Sequence, residues 1–359
     1  MKILIVNDQF ERGGAGRVAA VLCNELYKRG YDITIATDTK HWHNTYYLDP
    51  SIPIVQIDSK TSGNKIKRWL SCSKVIRKYI KENNPNLIIA TQSLMYLVTW
   101  IANWGISVPV IAADHTSFNR KIHPVIDFIR YHLYSRADGL TILTQKDERL
   151  LGDKFPRKRV IYNPLSFPIL TEETIRKNTI LCAGRLESWD IKGFDIILDI
   201  WKKLESKHPN WTLEIAGAGN GNSQAFVENM IKERDLDKRV NLLGHIDDMK
   251  KLYSESSIFA LSSRMEGFPM VLMEAMSQGC ACVAFSVGGA SDEMMSDKSG
   301  SIIRDNDCES FGNALEALMS NEDLRVQCSH NAVKESSRFS VDSFVDNWID
   351  YINSTLSLK

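Results

Sequence analysis

The chain of 359 residues is long enough for two domains of ordinary size, each with a buried core of its own. Its seven cysteines are an odd number without a Cys-x-x-Cys pair, which argues against a disulfide framework or a zinc site and favours reduced thiols in the cytosol. The first seven residues are too short for the apolar region of a secretory signal, and they predict a strand instead.

The charge of the chain is balanced overall but unevenly placed. Residues 1–168 hold 24 Lys and Arg against 14 Asp and Glu, whereas the remaining residues hold 20 against 30. The basic first part predicts an anionic partner, such as a membrane surface or a lipid-linked phosphate. A generally solvated surface would account for the same counts equally well, so both interpretations stay open.

Short apolar runs alternate with helical patterns along the first half of the chain. The predicted strands are residues 3–6, 33–37, 54–57, 87–90, 108–112, 140–143 and 160–162. The predicted helices are residues 18–29, 66–82, 94–104, 124–135 and 145–152. Residues 83–113 carry no formal charge, but Asn103, Gly105 and Pro109 interrupt them, so we expect strand, helix and strand rather than a membrane span. The alternation predicts a Rossmann-like domain with a parallel sheet, residues 1–168.

The proline-containing stretch 163–168 is typical of a linker, and the alternation restarts after it. The predicted strands are residues 180–183, 213–216, 241–243, 258–261, 281–285 and 302–304. Helices are predicted at residues 194–207, 224–235, 311–319 and 341–356. A short helix that includes residue 252 and a helix that begins near residue 269 are also predicted. We therefore expect a second Rossmann-like domain, residues 169–340, facing the first across a cleft, and a last segment, 341–359, whose helix packs back toward the first domain.

Two carboxylates lie in the strand, loop and helix unit that follows residue 257. Glu266 falls in the loop and Glu274 on the helix, while Pro269 suits the first helical turn and Gly279 the residue just past the end. The amino end of a helix favours an anionic ligand group, and carboxylates beside it can accept hydrogen bonds from hydroxyl groups. A sugar nucleotide carries both kinds of group: its phosphates can bind the backbone amides, and its sugar hydroxyls can bind the carboxylates. Taken alone, the two glutamates could equally be one helix-capping carboxylate and one solvated carboxylate.

Two cations precede this unit at the predicted carboxyl edge of the same sheet. Arg185 leaves the strand 180–183, and Lys192 comes directly before the next helix. A guanidinium and an ammonium on such loops can neutralise a diphosphate and support it as a leaving group.

At this point the motifs define a resemblance. Glu266, seven residues and Glu274, with Gly267-Phe268-Pro269 after the first Glu, resemble the signature of the retaining GT-B glycosyltransferases of family four. The resemblance implies that Arg185, Lys192 and Glu266 are catalytic together with His115, which follows the strand 108–112. It also implies a donor site, whose expected members are Gly14, Gly16, Arg185, Lys192, Gly217, His245, Ile246, Glu266, Gly267, Phe268, Pro269, Met270 and Glu274.

Some positions leave alternatives open. His245 is interpreted as a loop residue beside the nucleotide base rather than as a general base. Asp292 stands where the family usually has Glu, which leaves two roles open for its loop, phosphate contact and helix packing. Arg120 and Lys121 could bind an anionic acceptor or be solvated cations. The basic helix near residues 65–81 could rest on an anionic membrane or pack its apolar stripe inward.

The activity implied is a retaining hexosyltransferase that uses a nucleoside diphosphate sugar, most simply a UDP-hexose, and a glycan acceptor that could be lipid-linked. The enzyme would be cytoplasmic, with possible peripheral membrane contact, no metal, no cofactor and no nucleic-acid partner. A nucleotide-sugar epimerase on a similar fold is the first alternative, and a non-catalytic sensor of sugar nucleotides is another. A dinucleotide-dependent oxidoreductase is a third, since Gly14-x-Gly16 with Asp38 mimics a dinucleotide fingerprint, although its first glycine lies too far from the strand.

Overall fold

The computed structural model describes residues 1–10, 13–40, 46–58, 64–118, 121–155, 157–172 and 174–357. The chain divides into two compact units, one formed by Met1–Pro164 with Val341–Lys359 and the other by Leu165–Ser340. The second unit thus begins inside the proline-containing stretch at 163–168. Its first and last segments are joined, because the backbone N–H of Leu165 donates a hydrogen bond of 2.8 Å to the carbonyl of Phe339.

The first unit is built on a parallel sheet of seven strands in the described part of the chain. Its strands are β1 (Lys2–Val6), β2 (Asp32–Thr37), β3 (Ile54–Gln56), β4 (Leu87–Thr91), β5 (Val110–Ala113), β6 (Gly139–Ile142) and β7 (Lys158–Val160). Its helices before the linker are α1 (Gly14–Lys28), α2 (Lys65–Asn83), α3 (Ser93–Asn103), α4 (Pro124–Phe128) and α5 (Gln145–Leu151). A π-helical turn, Ile129–Leu133, continues α4.

The order of the strands is β3-β2-β1-β4-β5-β6-β7, so the chain reverses its direction of travel across the sheet between β1 and β4. Both of these strands are almost wholly buried. Continuous apolar runs of this kind are expected where helices cover both faces of a parallel sheet. The loops after β1 and β4 therefore border the crevice in which such sheets bind ligands.

The second unit has a parallel sheet of six strands within the described residues, in the order β10-β9-β8-β11-β12-β13. Its strands are β8 (Lys177–Ala183), β9 (Thr212–Ala216), β10 (Val240–Gly244), β11 (Ser256–Leu261), β12 (Ala281–Phe285) and β13 (Gly300–Ile303). Its helices are α6 (Trp189–Lys192), α7 (Phe194–Leu204), α8 (Gly221–Lys232), α9 (Met249–Glu255), α10 (Met270–Ser277), α11 (Ala290–Met294), α12 (Cys308–Ser320) and α13 (Glu322–Ser336). Here the reversal lies between β8 and β11.

The last helix, α14 (Val341–Ser357), belongs to the first unit. The hydroxyl of Tyr351 accepts a hydrogen bond of 2.7 Å from Leu140 N–H and donates one of 2.5 Å to the carbonyl of Arg157. Trp348 is 2% exposed. The helix is thus fastened to the edge of the first sheet through β6 and the segment before β7.

Several features depart from expectation, among them the short helices α6 and α11, which were not predicted. Helix α13 was not predicted, because residues 322–336 lack an apolar stripe and bury mainly small side chains. Pro269 lies immediately before α10, at the N-cap, and not in the first helical turn, so that prediction was wrong by one position. Within the described residues, no helix combines the length and the apolar character that crossing a bilayer requires.

Candidate functional site

The switch point of the second sheet brings two separate loops together. Strands β8 and β11 are hydrogen-bonded neighbours, with Ile258 opposite Ile180 and Phe259 opposite Leu181. Because the strands are parallel, the loop with Gly184 and the loop with Ser263 leave the same edge of the sheet. The residues predicted to hold a diphosphate and a sugar follow these two strands.

Lys192 and Glu266 form an ion pair where these loops meet. Lys192 Nζ lies 2.7 Å from Glu266 Oε1, and the two side chains are 20% and 11% exposed. The Ser263 hydroxyl donates a hydrogen bond of 2.7 Å to the same Glu266 oxygen. Within the described residues, Glu266 Oε2 makes no hydrogen bond, so one carboxylate oxygen remains available as an acceptor. The stem of Lys192 crosses Gly184, where an added Cβ would lie 2.8 Å from Lys192 Cγ.

The backbone that carries Lys192 is itself held by the strand β11. The hydroxyl of Ser262, which directly follows β11, donates to the carbonyl of Lys192 at 3.1 Å and to that of Gly193 at 2.9 Å. The backbone of Lys192 is therefore held in place, and the position of its ammonium group depends on the side-chain conformation.

The glycines of this edge permit very close backbone contact. Gly217, which follows β9, donates a hydrogen bond of 2.8 Å to the carbonyl of Gly244 at the end of β10. A Cβ at Gly217 would lie only 1.8 Å from the carbonyl oxygen of Gly184. Only glycine fits there, because any side chain would overlap the neighbouring backbone.

Glu274 lies on α10 and is 6% exposed. Its Oε1 accepts a hydrogen bond from the Ser166 hydroxyl, and its Oε2 accepts one of 3.2 Å from the Tyr253 hydroxyl. Each carboxylate oxygen has two lone pairs, so these bonds orient the group and leave capacity for a further donor. The sequence analysis missed both partners, because Ser166 lies 108 residues and Tyr253 lies 21 residues from Glu274.

The remaining predicted donor residues of the second unit lie in loops or at the start of a helix. The guanidinium of Arg185 is exposed and makes no hydrogen bond or ion pair with another described residue. His245 is exposed and lies 3.2 Å from Asp247, while Ile246 is half-buried. Phe268 packs edge to face on Phe339 with ring centroids 6.0 Å apart. Gly267 and Pro269 flank Phe268 in the loop, and Met270 opens α10.

Asp292, which departs from the family pattern, has a local partner. The Ser286 hydroxyl, just after β12, lies 2.8 Å and 2.7 Å from the two Asp292 carboxylate oxygens. The carboxylate thus joins the end of β12 to the short helix α11.

The first unit carries the other predicted residues. Gly14 and Gly16 open α1, and the Gly13 N–H donates a hydrogen bond of 3.2 Å to the Tyr46 hydroxyl. Lys121 is exposed, and Arg120 lies outside the described residues.

His115 follows β5 and is half-buried. Burial lowers the pKa of its imidazole, and the neighbouring Asp114 and Asn163 side chains offset this only in part. The Nδ1 atom is shielded from solvent and makes no hydrogen bond of ordinary geometry to a described residue. We infer that the ring is neutral near pH 7, so one of its nitrogens can accept a proton while the other donates a hydrogen bond.

A buried ion pair lies beside His115. Arg130 Nε donates a hydrogen bond of 2.9 Å to Asp114 Oδ2, with side-chain exposures of 0% and 4%. Sequence reasoning missed Arg130, because a charged side chain is expected at the surface. The described residues contain no group of three or more His, Cys, Asp or Glu side chains placed to hold a metal ion.

Comparison with known proteins assigns the class. Solved structures of GT-B fold share both Rossmann-like units. Sucrose-phosphate synthase from Thermosynechococcus elongatus is similar with a TM-score of 0.83 at 15% identity over 99% of both chains. HepE from Anabaena, solved with UDP, is similar with a TM-score of 0.80 at 19% identity over 99% of this chain and 100% of that one.

Family models cover both units. A model described as Glycosyl transferases group 1 matches residues 171–335, and one described as Glycosyltransferase Family 4 matches residues 12–166. The chain therefore belongs to the family-four glycosyltransferases of GT-B fold, as the resemblance in its sequence predicted.

Several relatives match along almost their whole length. An uncharacterized glycosyltransferase of Haemophilus influenzae is 27% identical over 94% of this chain and 95% of its own. The amylovoran biosynthesis glycosyltransferase AmsD of Erwinia amylovora is 26% identical over 98% and 99%. An α-1,4-N-acetyl-D-galactosaminyltransferase of Campylobacter jejuni, named for a diphosphoundecaprenol-linked glycan, is 24% identical over 98% of each chain. The epimerase alternative finds no support among these matches.

Proposed function

We propose that the protein is a retaining hexosyltransferase that moves a sugar from a nucleoside diphosphate sugar, most simply a UDP-hexose, to a growing surface polysaccharide. The observation that carries the proposal is the Lys192–Glu266 pair at the switch point of the second sheet, with the Glu266 Oε2 atom available. A cation for the diphosphate and a carboxylate for the sugar hydroxyls are thereby placed side by side. The UDP bound by HepE supports the choice of nucleotide.

The proposed roles follow the charge that develops during transfer. Arg185 and Lys192 stabilise the departing diphosphate, and Glu266 with the amides near Phe268 fixes the donor sugar. Glu274 accepts hydrogen bonds from the ribose hydroxyls. His115 polarises or positions groups near the sugar. Negative charge on the leaving group is thus met by cations, and positive charge on the sugar ring by carboxylates.

Retention of configuration is proposed to proceed without an enzyme nucleophile. An oxygen of the departing diphosphate takes the acceptor proton on the face from which it leaves, while the acceptor oxygen bonds to the anomeric carbon. Neither a metal nor a cofactor takes part in this scheme. The anomeric proton coupling of the product glycoside, measured by NMR and compared with that of the donor sugar, distinguishes retention from inversion.

The acceptor is proposed to be a lipid-linked glycan on the cytoplasmic face of a membrane. Support comes from the name of the Campylobacter relative and from the exposed face of α2. Ile66 and Leu70 are 61% and 46% exposed on this helix, beside the exposed Lys67 and Lys74. Cosedimentation with vesicles of anionic lipid, but not with phosphatidylcholine vesicles, is expected, and Lys67→Glu with Lys74→Glu should abolish it. Equal binding to both vesicles, or none, would remove the membrane part of the proposal.

The donor site is tested by isothermal titration with UDP, NAD and four UDP-sugars in the presence of a chelator. The UDP-sugars are UDP-glucose, UDP-galactose and their N-acetylamino counterparts. Glu274→Ala should lose about 1.5–3 kcal/mol of binding free energy, the value of a charge-assisted hydrogen bond. Tyr253→Phe is the matched control, because it removes a partner of Glu274 but keeps the carboxylate.

Each outcome of the titration has a clear meaning. Binding of a UDP-sugar that is weakened by Glu274→Ala and nearly unchanged by Tyr253→Phe supports the proposed site. If NAD binds instead, or if a folded Glu274→Ala protein binds UDP-sugars like the wild type, the proposal is wrong.

A further inference from the structure

The loop that carries His115 is fastened on both sides of the histidine. We call residues 114–118 the His115 loop. Asp114 N–H donates a hydrogen bond of 3.1 Å to the carbonyl of Thr141, and Thr116 N–H donates one of 2.9 Å to Asp114 Oδ1. At the other end, the Ser117 hydroxyl and the Phe118 N–H both donate to Asp147 Oδ1, at 3.1 Å and 2.9 Å.

Arg130 spans the histidine itself. Its Nε donates to Asp114 Oδ2 at 2.9 Å, and its Nη2 donates to the carbonyl of Thr116 at 2.7 Å. These are the residues directly before and after His115. The guanidinium also lies over the ring of Phe118, 4.0 Å from its centroid. One planar cation therefore holds the side chain of the residue before the histidine and the backbone carbonyl of the residue after it.

The imidazole depends on that backbone for its direction. Its Nδ1 makes no hydrogen bond of ordinary geometry to a described residue. Asn163 is near enough to raise the pKa of the ring, and the Asn163 side-chain oxygen also makes no such bond. Within the described residues, the ring nitrogens are therefore held by the Asn163 side chain alone, without a hydrogen bond of ordinary geometry.

The buried pair is poorly explained by stability alone. Removing two charges from water offsets most of their attraction, and apolar side chains of similar volume are often equally stable. A buried pair can instead select one conformation of the segment it joins. Arg130 lies in the π-helical turn Ile129–Leu133, a geometry that occurs mainly as single turns and frequently at functional sites.

We propose that Arg130 is a positioning residue for His115, which holds Asp114 and Thr116 so that the imidazole points in the direction that sugar transfer requires. The proposal rests on the proposed function, in which His115 serves the transfer step. Arg130 itself touches neither the donor nor the acceptor in this scheme.

The kinetic test measures UDP release from whichever of UDP-glucose, UDP-galactose and their N-acetylamino counterparts the wild type hydrolyses. Arg130→Met should lower kcat by about 100-fold, the effect of a displacement near 1 Å at a reacting group, with KM unchanged. In a His115→Gln background the same change should have little further effect, because Arg130 acts through His115. Arg136→Met, an exposed arginine of the following turn, is the matched control and should keep the wild-type rate.

A spectroscopic test needs no turnover. The protein has eight histidines, and His115→Gln assigns the imidazole signal of His115 in protein labelled at histidine. In Arg130→Met this signal should shift and its pKa should rise toward the ordinary value, whereas Arg136→Met should leave it in place. If Arg130→Met does not fold, Asp114→Asn with Arg130→Met is measured instead, since this pair leaves no unpaired buried charge. In that variant the His115 signal should still shift, but its pKa should not rise, because Asp114 no longer raises it.

The two tests separate the failures. A folded Arg130 variant with an unchanged His115 signal, or with an equal loss of kcat in the His115→Gln background, overturns the positioning role. Failure of every UDP-sugar to bind or react overturns the proposed function, while the NMR test still decides whether Arg130 orients His115. Wild-type kcat in His115→Gln overturns the role of His115 in transfer and, with it, this inference.

Discussion

The Lys192–Glu266 pair allows a quantitative test, because each partner has a separate proposed ligand. In the free protein the two side chains are bound to each other at 2.7 Å and are 20% and 11% exposed. We expect a coupling free energy of about 1–2 kcal/mol, between the values for exposed ion pairs and for buried charged hydrogen bonds. A double-mutant cycle of Lys192→Met and Glu266→Gln, followed by urea unfolding, measures it.

The same four proteins are then titrated with UDP. Lys192→Met should weaken UDP binding by about 10- to 150-fold, corresponding to about 1.5–3 kcal/mol for a lost charged hydrogen bond. The loss should be larger in the Glu266→Gln background, because Lys192 is then free of its carboxylate before UDP binds. By linkage, saturating UDP should reduce the coupling measured in the unfolding cycle.

The exposed pair Lys207–Glu316 serves as the control for this cycle. Its atoms lie 3.1 Å apart and its side chains are 58% and 34% exposed. We expect a coupling of about 0.2–1 kcal/mol there and no response to UDP. If a folded Lys192→Met protein binds UDP like the wild type, the reasoning that places the diphosphate beside Lys192 is wrong.

Three further predictions concern stability, each measured by urea unfolding. Gly217→Ala should lower the free energy of unfolding by about 1–3 kcal/mol or more, because the new Cβ would overlap the carbonyl of Gly184. Gly221→Ala is the control and should be nearly neutral, because an added Cβ there meets nothing within 4 Å. Equal effects of the two substitutions would contradict the contact. Tyr351→Phe should lose about 0.5–1.5 kcal/mol with its hydrogen bond to Arg157, and no loss would mean that this bond does not contribute. Burial lowers the pKa of His115 below its ordinary 6.5, so the unfolded chain binds this proton more readily and stability falls as the pH drops through that value. The wild type should therefore lose up to about 1.4 kcal/mol per pH unit more than His115→Gln between pH 7 and pH 5.5, and parallel profiles would contradict this.

The sequence was sufficient for features that depend on local pattern. Strand β8 ends at Ala183, two residues before Arg185, and strand β11 ends at Leu261, before the loop of Glu266, as the apolar runs predicted. Parallel strands send their following loops to one edge, so these loops could be expected to meet once the order of the strands was known.

Contacts between distant segments could not be read from the sequence. Ser166 and Tyr253 are ordinary linker and helix residues until the fold brings them to Glu274. Arg130 is indistinguishable in the sequence from a solvated arginine. The π-helical turn and the contacts with Asp114, Thr116 and Phe118 explain why it is fully buried. Helix α13 was missed because its buried side chains include Cys328, Ala332 and Ser336, which give no clear hydrophobic period.

The hydrogen bond between Leu165 and Phe339 bears on which fragments of the chain can be expressed and folded separately. The second unit is a continuous segment whose two ends are adjacent, whereas the first unit is interrupted by it. In effect, one folded module is inserted into another. A fragment of residues 165–340 should therefore fold on its own and, if the proposed roles hold, bind UDP. The first unit, by contrast, needs a short peptide joining Pro164 to Val341, because without it α14 would be lost from the edge of its sheet.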